Sequence, residues 1–173
     1  MLKLSSFLFI FNAAVATMPI YGLQANSSIQ AQIEGHEAPG ALSPEHLAVV
    51  RPLQLMCDGL VKKDAKLIQD QLLPGGMTTQ IREGIPAQMH FDFFNARLQQ
   101  LFETSHDQLE ETLYHPEVHI DHDIAVIWAP YTFTVNGKMD HCGTNVFTMY
   151  RRNGRWLVSN VADNERHNDC PTN

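Results

Sequence analysis

The segment His115-Pro-Glu117-Val-His119-Ile-Asp121-His122-Asp123 gathers imidazoles and carboxylates more densely than any other part of the chain. Both are zinc donors, and residues two apart on a strand share a face, which would align His115, Glu117, His119 and Asp121. The segment also ends in a turn, where Asp and His serve the backbone. A solvated turn is therefore the expectation, with no resident metal and no other cofactor. His141 and Asp163 are the candidate catalytic residues, because enclosure in a cavity moves such groups toward a working pH for acid–base chemistry. Trp128 and Tyr131 each join an apolar ring to a polar handle, as ligand pockets require. Asn145 and Thr144 extend the same candidate ligand-binding set. A nucleophile elbow, a P-loop and a dinucleotide fingerprint are absent from the sequence.

The stretch that must position these residues runs from His122 to Val161. It reads as three long strands joined at Asn136-Gly137 and Asn153-Gly154, dipeptides that accept the positive φ of tight hairpins. A two-residue turn at Asn136-Gly137 pairs Val135 with Lys138. Continued along the strands, that register sets Ala125 opposite Thr148 and Pro130 opposite Gly143. The same rule at Asn153-Gly154 places Asp163 beside Thr144. His141 and Asp163 then fall on opposite faces and do not act as a pair. Pro130 cannot donate to the ladder and glycine permits a bend, so a kink or bulge is expected at Pro130 and Gly143. Both faces are apolar between Ile124 and Trp128. One should cover helices and the other should meet a partner, a second copy of the chain.

Upstream, Ser43-Pro44 opens a helix as cap and first-turn proline, followed by Leu47, Val50, Leu53, Cys57, Leu60 and Val61 at helical spacing. Pro52 conflicts with that helix, predicting a kink or a start nearer Arg51. Asp64 caps a short helix over 65–72, which Pro74-Gly75-Gly76 stops, and a short strand over 77–81 ends at Gly84-Ile85-Pro86. A third helix is expected from about Ala87 to Phe102, with Phe91, Phe94, Leu98 and Leu101 on its apolar face. Leu109 to Ile120 reads as one strand. Helices followed by consecutive antiparallel strands indicate an α+β fold.

The 173 residues suit one domain, and 44% hydrophobic with 18% charged residues is globular composition. Lys3, the apolar run Leu4–Ala16 and small residues before Ala25 have the form of a signal peptide over 1–25. A polar, Gly- and Pro-containing linker over 26–42 follows, and the domain occupies 43–173. Secretion or a periplasmic location is the expectation. The net charge of −7 argues against nucleic acid and anionic membrane as partners. Export permits disulfides, and of the three cysteines Cys142 and Cys170 are the expected pair, with Cys57 left as a small core residue.

Ile124-Ala-Val-Ile-Trp-Ala-Pro-Tyr131, Asn136-Gly-Lys138, His141-Cys-Gly143, Phe147 and Arg155-Trp156 together resemble the exported SnoaL-like, lumazine-binding-like branch of the nuclear transport factor 2-like superfamily. The resemblance spans about residues 43–170. It implies a cone-shaped α+β barrel in which a curved antiparallel sheet wraps around three N-terminal helices, often homodimeric through the sheet. No catalytic motif matches residue by residue. The leading expectation is a non-catalytic domain that binds a small apolar or aromatic ligand. An isomerase, dehydratase or cyclase using Asp163 or His141 as base is the first alternative, and a protein-interaction module the second.

Overall fold

A computed structural model describes residues 43–170. The expected signal peptide, and the linker over 26–42, lie outside the described residues. Helix α1 (Pro44–Lys62) begins as expected, with the Ser43 hydroxyl accepting from the His46 N–H at 3.2 Å. It continues through Pro52 without interruption, and Pro52 is buried. The helix turns its apolar stripe slightly from the expected one. Val49, Val50 and Leu53 are buried, whereas Leu47 and Val61 are half exposed. Asp64 caps the short α2 (Ala65–Gln69) through the Leu67 N–H.

Strand β1 (Leu72–Arg82) starts earlier than expected, because Pro74-Gly75-Gly76 bulges out of a strand instead of ending a helix. Glu83 and Gly84, both at positive φ, turn β1 into β2 (Ile85–His90), an exposed edge strand. The third helix therefore starts at Phe91 and not at Ala87, giving α3 (Phe91–Thr104). The expected single strand after it divides into β3 (Leu109–Leu113) and β4 (Glu117–Asp121), interrupted at His115, whose φ is positive. The long meander follows as β5 (Ile124–Val135), β6 (Lys138–Arg152) and β7 (Arg155–Arg166). Positive φ at Asn136, Gly137, Asn153 and Gly154 matches the two turns read from the sequence.

The seven strands make one curved, unclosed sheet in the order β2-β1-β7-β6-β5-β3, with β4 also on β5. It is mixed and not purely antiparallel, since β1 lies parallel to β7. The concave face packs on α1, α2 and α3 through Leu53, Ile68, Phe91, Ile127, Met149 and Val158.

Two bulges set which side chains face that interior. Near its turn the β5–β6 hairpin keeps the expected register, with Val135 opposite Lys138. Asp140 is then an extra residue on β6, so that Phe133 pairs with His141, Tyr131 with Gly143 and Ala125 with Met149. Ser159 is likewise extra on β7, and beyond it Asn145 pairs with Asp163. Each inserted residue reverses the alternation of side chains on its strand. The bend expected at Pro130 and Gly143 is thus displaced to Asp140, and Pro130 faces Thr144 instead. Pro130 sits where the neighbour of β5 changes from β4 to β3. Its carbonyl accepts from the Tyr114 N–H on that side at 2.8 Å. A residue's N–H and C=O point the same way along a strand, so the missing donor falls in the gap between β4 and β3.

Gly143 has a separate purpose. A Cβ there would collide with the Asn164 carbonyl and with Tyr131 Cε1. The bare backbone lets the Tyr131 ring cross it and donate its hydroxyl to the Asn164 carbonyl at 3.0 Å.

Candidate functional site

The helices and the concave sheet face line a partly open cavity of about 250 Å³. Its walls are apolar over most of their extent: Met56 and Leu60 from α1, Phe94 and Leu98 from α3, and Phe147 and Val161 from the sheet. The polar lining is concentrated among β1, β3, β5, β6 and β7, where Arg82, Glu111, Tyr131, His141, Asn145 and Asp163 line the same space.

That convergence is the work of the bulges. Past Asp140, the inward positions of β6 are His141, Gly143, Asn145 and Phe147. Past Ser159, those of β7 are Val161, Asp163 and Glu165. His141 and Asp163 therefore share the interior face, contrary to the expectation that they lie on opposite sides. Asp140, the bulged residue, also orients His141 by holding its Nδ1 at 2.8 Å. The His141 ring stacks on Phe133 at 4.9 Å and meets Tyr131 edge-on at 5.6 Å.

Glu111 was not singled out from the sequence. In Leu109-Glu-Glu-Thr-Leu113 it alternates with Glu110, and nothing local distinguishes the inward carboxylate from the outward one. The pairing of Glu111 with Phe133 settles it, since Phe133 faces the interior. Glu111 is partly buried and lines the cavity. The carboxylate accepts one hydrogen bond, from Asn145 Nδ2 at 2.6 Å. Burial pushes its pKa from 4.5 up to about 7, against the pull of the Asn145 amide.

Asp163 is held differently. Arg82 Nη1 donates to it at 2.6 Å while Arg82 Nε pairs with Glu165. Burial raises the Asp163 pKa, and the Arg82 guanidinium opposes the rise. Tyr131 is pushed upward as well, first by burial and then by the charges of Asp163 and Glu111. Cys57, which also lines the cavity, is raised by burial to about 12 and stays a thiol at neutral pH.

Of the other candidates, Tyr131 and Asn145 reach the cavity, but Trp128 and Thr144 do not. Both lie on the convex face, because on the bulged register Trp128 pairs with Val146 and Thr144 with Pro130. Trp128 is 49% exposed there, beside Ile124, Val126 and Tyr150. Glu117, His119 and Asp121 are exposed on that same convex side, paired with Trp128, Val126 and Ile124. Among the described residues no group of three or more His, Cys, Asp or Glu side chains is placed to hold a metal ion. The Cys142–Cys170 disulfide forms as expected, with Cα atoms 5.6 Å apart.

A scan against protein-family models and a search of curated proteins both return no match. Solved structures do match. A cystatin-like-fold protein of unknown function from Nostoc punctiforme superposes with a TM-score of 0.60 at 11% identity, over 75% of this chain and 97% of its own. A nuclear transport factor 2-like protein of unknown function from Shewanella baltica gives 0.56 at 14%, over 73% and 98%. A Novosphingobium aromaticivorans protein, named as a candidate scytalone dehydratase, gives 0.61 at 11%, over 75% and 89%. The chain has the α+β cystatin-like fold of nuclear transport factor 2-like proteins.

Proposed function

We propose that the chain is a small-molecule-binding domain whose interior cavity takes a largely apolar ligand, oriented by a polar group at the Glu111, Tyr131 and Asn145 end. The observation that carries this reading is the cavity itself. It is apolar on most sides, and its polar groups converge from five strands. A thermal-shift screen of small apolar and aromatic compounds tests it. A compound at a hundred times its Kd stabilises the fold by about 2.7 kcal/mol. Leu98→Trp, which fills the cavity, should abolish that response. Hits that act equally on the filled variant would count against the interior site.

A second reading is acid–base catalysis of an isomerase, dehydratase or cyclase type. It is favoured by a carboxyl with a pKa of about 7 beside an inward Asp163 and His141. A dehydratase name among structures of the same fold is consistent with it. Incubating stabilising compounds with the protein in D2O would reveal proton exchange. Exchange no faster than buffer, or unchanged in Glu111→Gln and Asp163→Asn, would exclude this reading.

The reading extends to the setting. The protein is an exported member of the lumazine-binding-like branch, and the Cys142–Cys170 disulfide supports an oxidising compartment. Its convex face pairs with a second copy through Ile124, Val126, Trp128 and Tyr150, all more than 40% exposed. Sedimentation of the chain and of Trp128→Glu would separate a dimer from a monomer. A monomeric parent would remove the pairing.

A further inference from the structure

The polar end of the cavity holds more anionic groups than cationic ones. Among the described residues, Glu111 from β3 and Asp163 from β7 line it with one guanidinium, Arg82 from β1, which pairs with Asp163 and with Glu165 beside it. Arg82 is already engaged. Its Nη1 binds Asp163 and the Ile81 carbonyl, and its Nε binds Glu165. Among the described residues, Glu111 has one hydrogen-bond partner, the neutral amide of Asn145. Its other neighbours across the cavity are Cys57 from α1 and Tyr131 from β5, both kept uncharged by burial, the Asp163 carboxylate, and the His141 imidazole.

A carboxylate that is drawn out of water and lacks a cation is an unfavourable arrangement unless something supplies the charge. A carboxylate ligand would make it worse, meeting two acidic groups and a guanidinium already paired. An ammonium would complete it. The surrounding walls suit such a ligand, because the rings of Phe94, Phe133 and Tyr131 line the same space and ring faces attract cations. The volume exceeds the roughly 150 Å³ at which an apolar cavity accepts benzene, leaving room for one ring and a short amine-bearing chain.

Resting on the small-molecule reading above, we propose that the cavity's ligand is a small apolar or aromatic amine, its ammonium paired with Glu111 and its body lying among the apolar walls. Pairing favours the ionised carboxylate, so binding below neutrality must expel a proton from Glu111. With that carboxyl titrating at about 7 in the free protein, affinity falls about thirtyfold from pH 8 to pH 5.5.

The test is calorimetric titration of three compounds of matched shape, phenethylamine, 2-phenylethanol and phenylacetate, into the full chain and into Glu111→Gln. At pH 8 the amine should bind the parent at least tenfold more tightly than the alcohol. That advantage should vanish in Glu111→Gln and be largely lost in the parent at pH 5.5. Cooperative urea denaturation of Glu111→Gln shows the variant to be folded. Tighter binding of phenylacetate than of the amine, or an amine preference that survives Glu111→Gln, overturns this inference and leaves the cavity reading standing. If none of the three binds and no compound in the wider screen stabilises the fold, both fall.

Discussion

Replacing Glu111 by glutamine should make the protein more stable, and increasingly so as the pH rises. The Glu111 carboxyl is raised by burial from 4.5 to about 7, so the folded chain holds this proton more tightly than the unfolded chain does. Stability from this group is therefore greatest below the unfolded value. It is lost as the pH climbs from 4.5 toward 7, the reverse of a salt-bridged carboxylate. At 1.36 kcal/mol per pKa unit, the full penalty above pH 7 is about 3 kcal/mol. Glutamine keeps the carbonyl oxygen that Asn145 Nδ2 binds and removes the charge. The Asp163 shift has the same sign, and the part of it that does not depend on the Glu111 charge is common to both proteins. Urea denaturation of the two proteins from about pH 4 to pH 8 measures that difference directly. Similar stabilities near pH 4, and a variant about 3 kcal/mol more stable at pH 8, would support the argument. A difference that does not change with pH would refute it.

Three further outcomes follow from the packing. Gly143→Ala should cost about 1–3 kcal/mol, because its Cβ would strike the Asn164 carbonyl and the Tyr131 ring; denaturant midpoints give the value. Cys170→Ser opens a loop with a sequence separation of 28 and should lower stability by about 3.6 kcal/mol in the chain-entropy model, read in the same way. Arg82→Met leaves Asp163 and Glu165 facing each other and should cost about 1–3 kcal/mol at pH 7, the Arg82 side chain being 35% exposed. Part of that loss should be recovered at low pH, where both carboxyls take up protons, and melts in buffers from pH 4 to 7 would follow it.

The parts of the fold legible in the sequence are those with a local chemical signature. Ser43-Pro44 marks a helix start, Asn136-Gly137 and Asn153-Gly154 mark hairpins, and Cys142 and Cys170 pair as read. The interior was less legible because it depends on two inserted residues that look like any other. Asp140 and Ser159 reverse the side-chain alternation without a glycine or proline to announce them, and Pro130, the apparent bulge signal, occupies the gap between β4 and β3. The edge strand β2 is exposed along its length, so it lacks the alternation that identifies half-buried strands, and the helical pattern after it was read four residues too early. Tyr131, His141, Asn145 and Asp163 were found by residue type. Glu111 needed the β3–β5 register, and Trp128 and Thr144 were assigned to a ligand on a register that the bulges displace.

The location of the site is tested most directly by methyl and indole NMR of the protein with a stabilising compound bound. Binding inside the cone predicts shift changes and ligand contacts at the Leu98, Leu113 and Val161 methyls, with the Trp128 indole on the convex face unmoved. Contacts at Trp128, Val126 and Ile124 with silent interior methyls would contradict the account and place binding on the outside of the sheet.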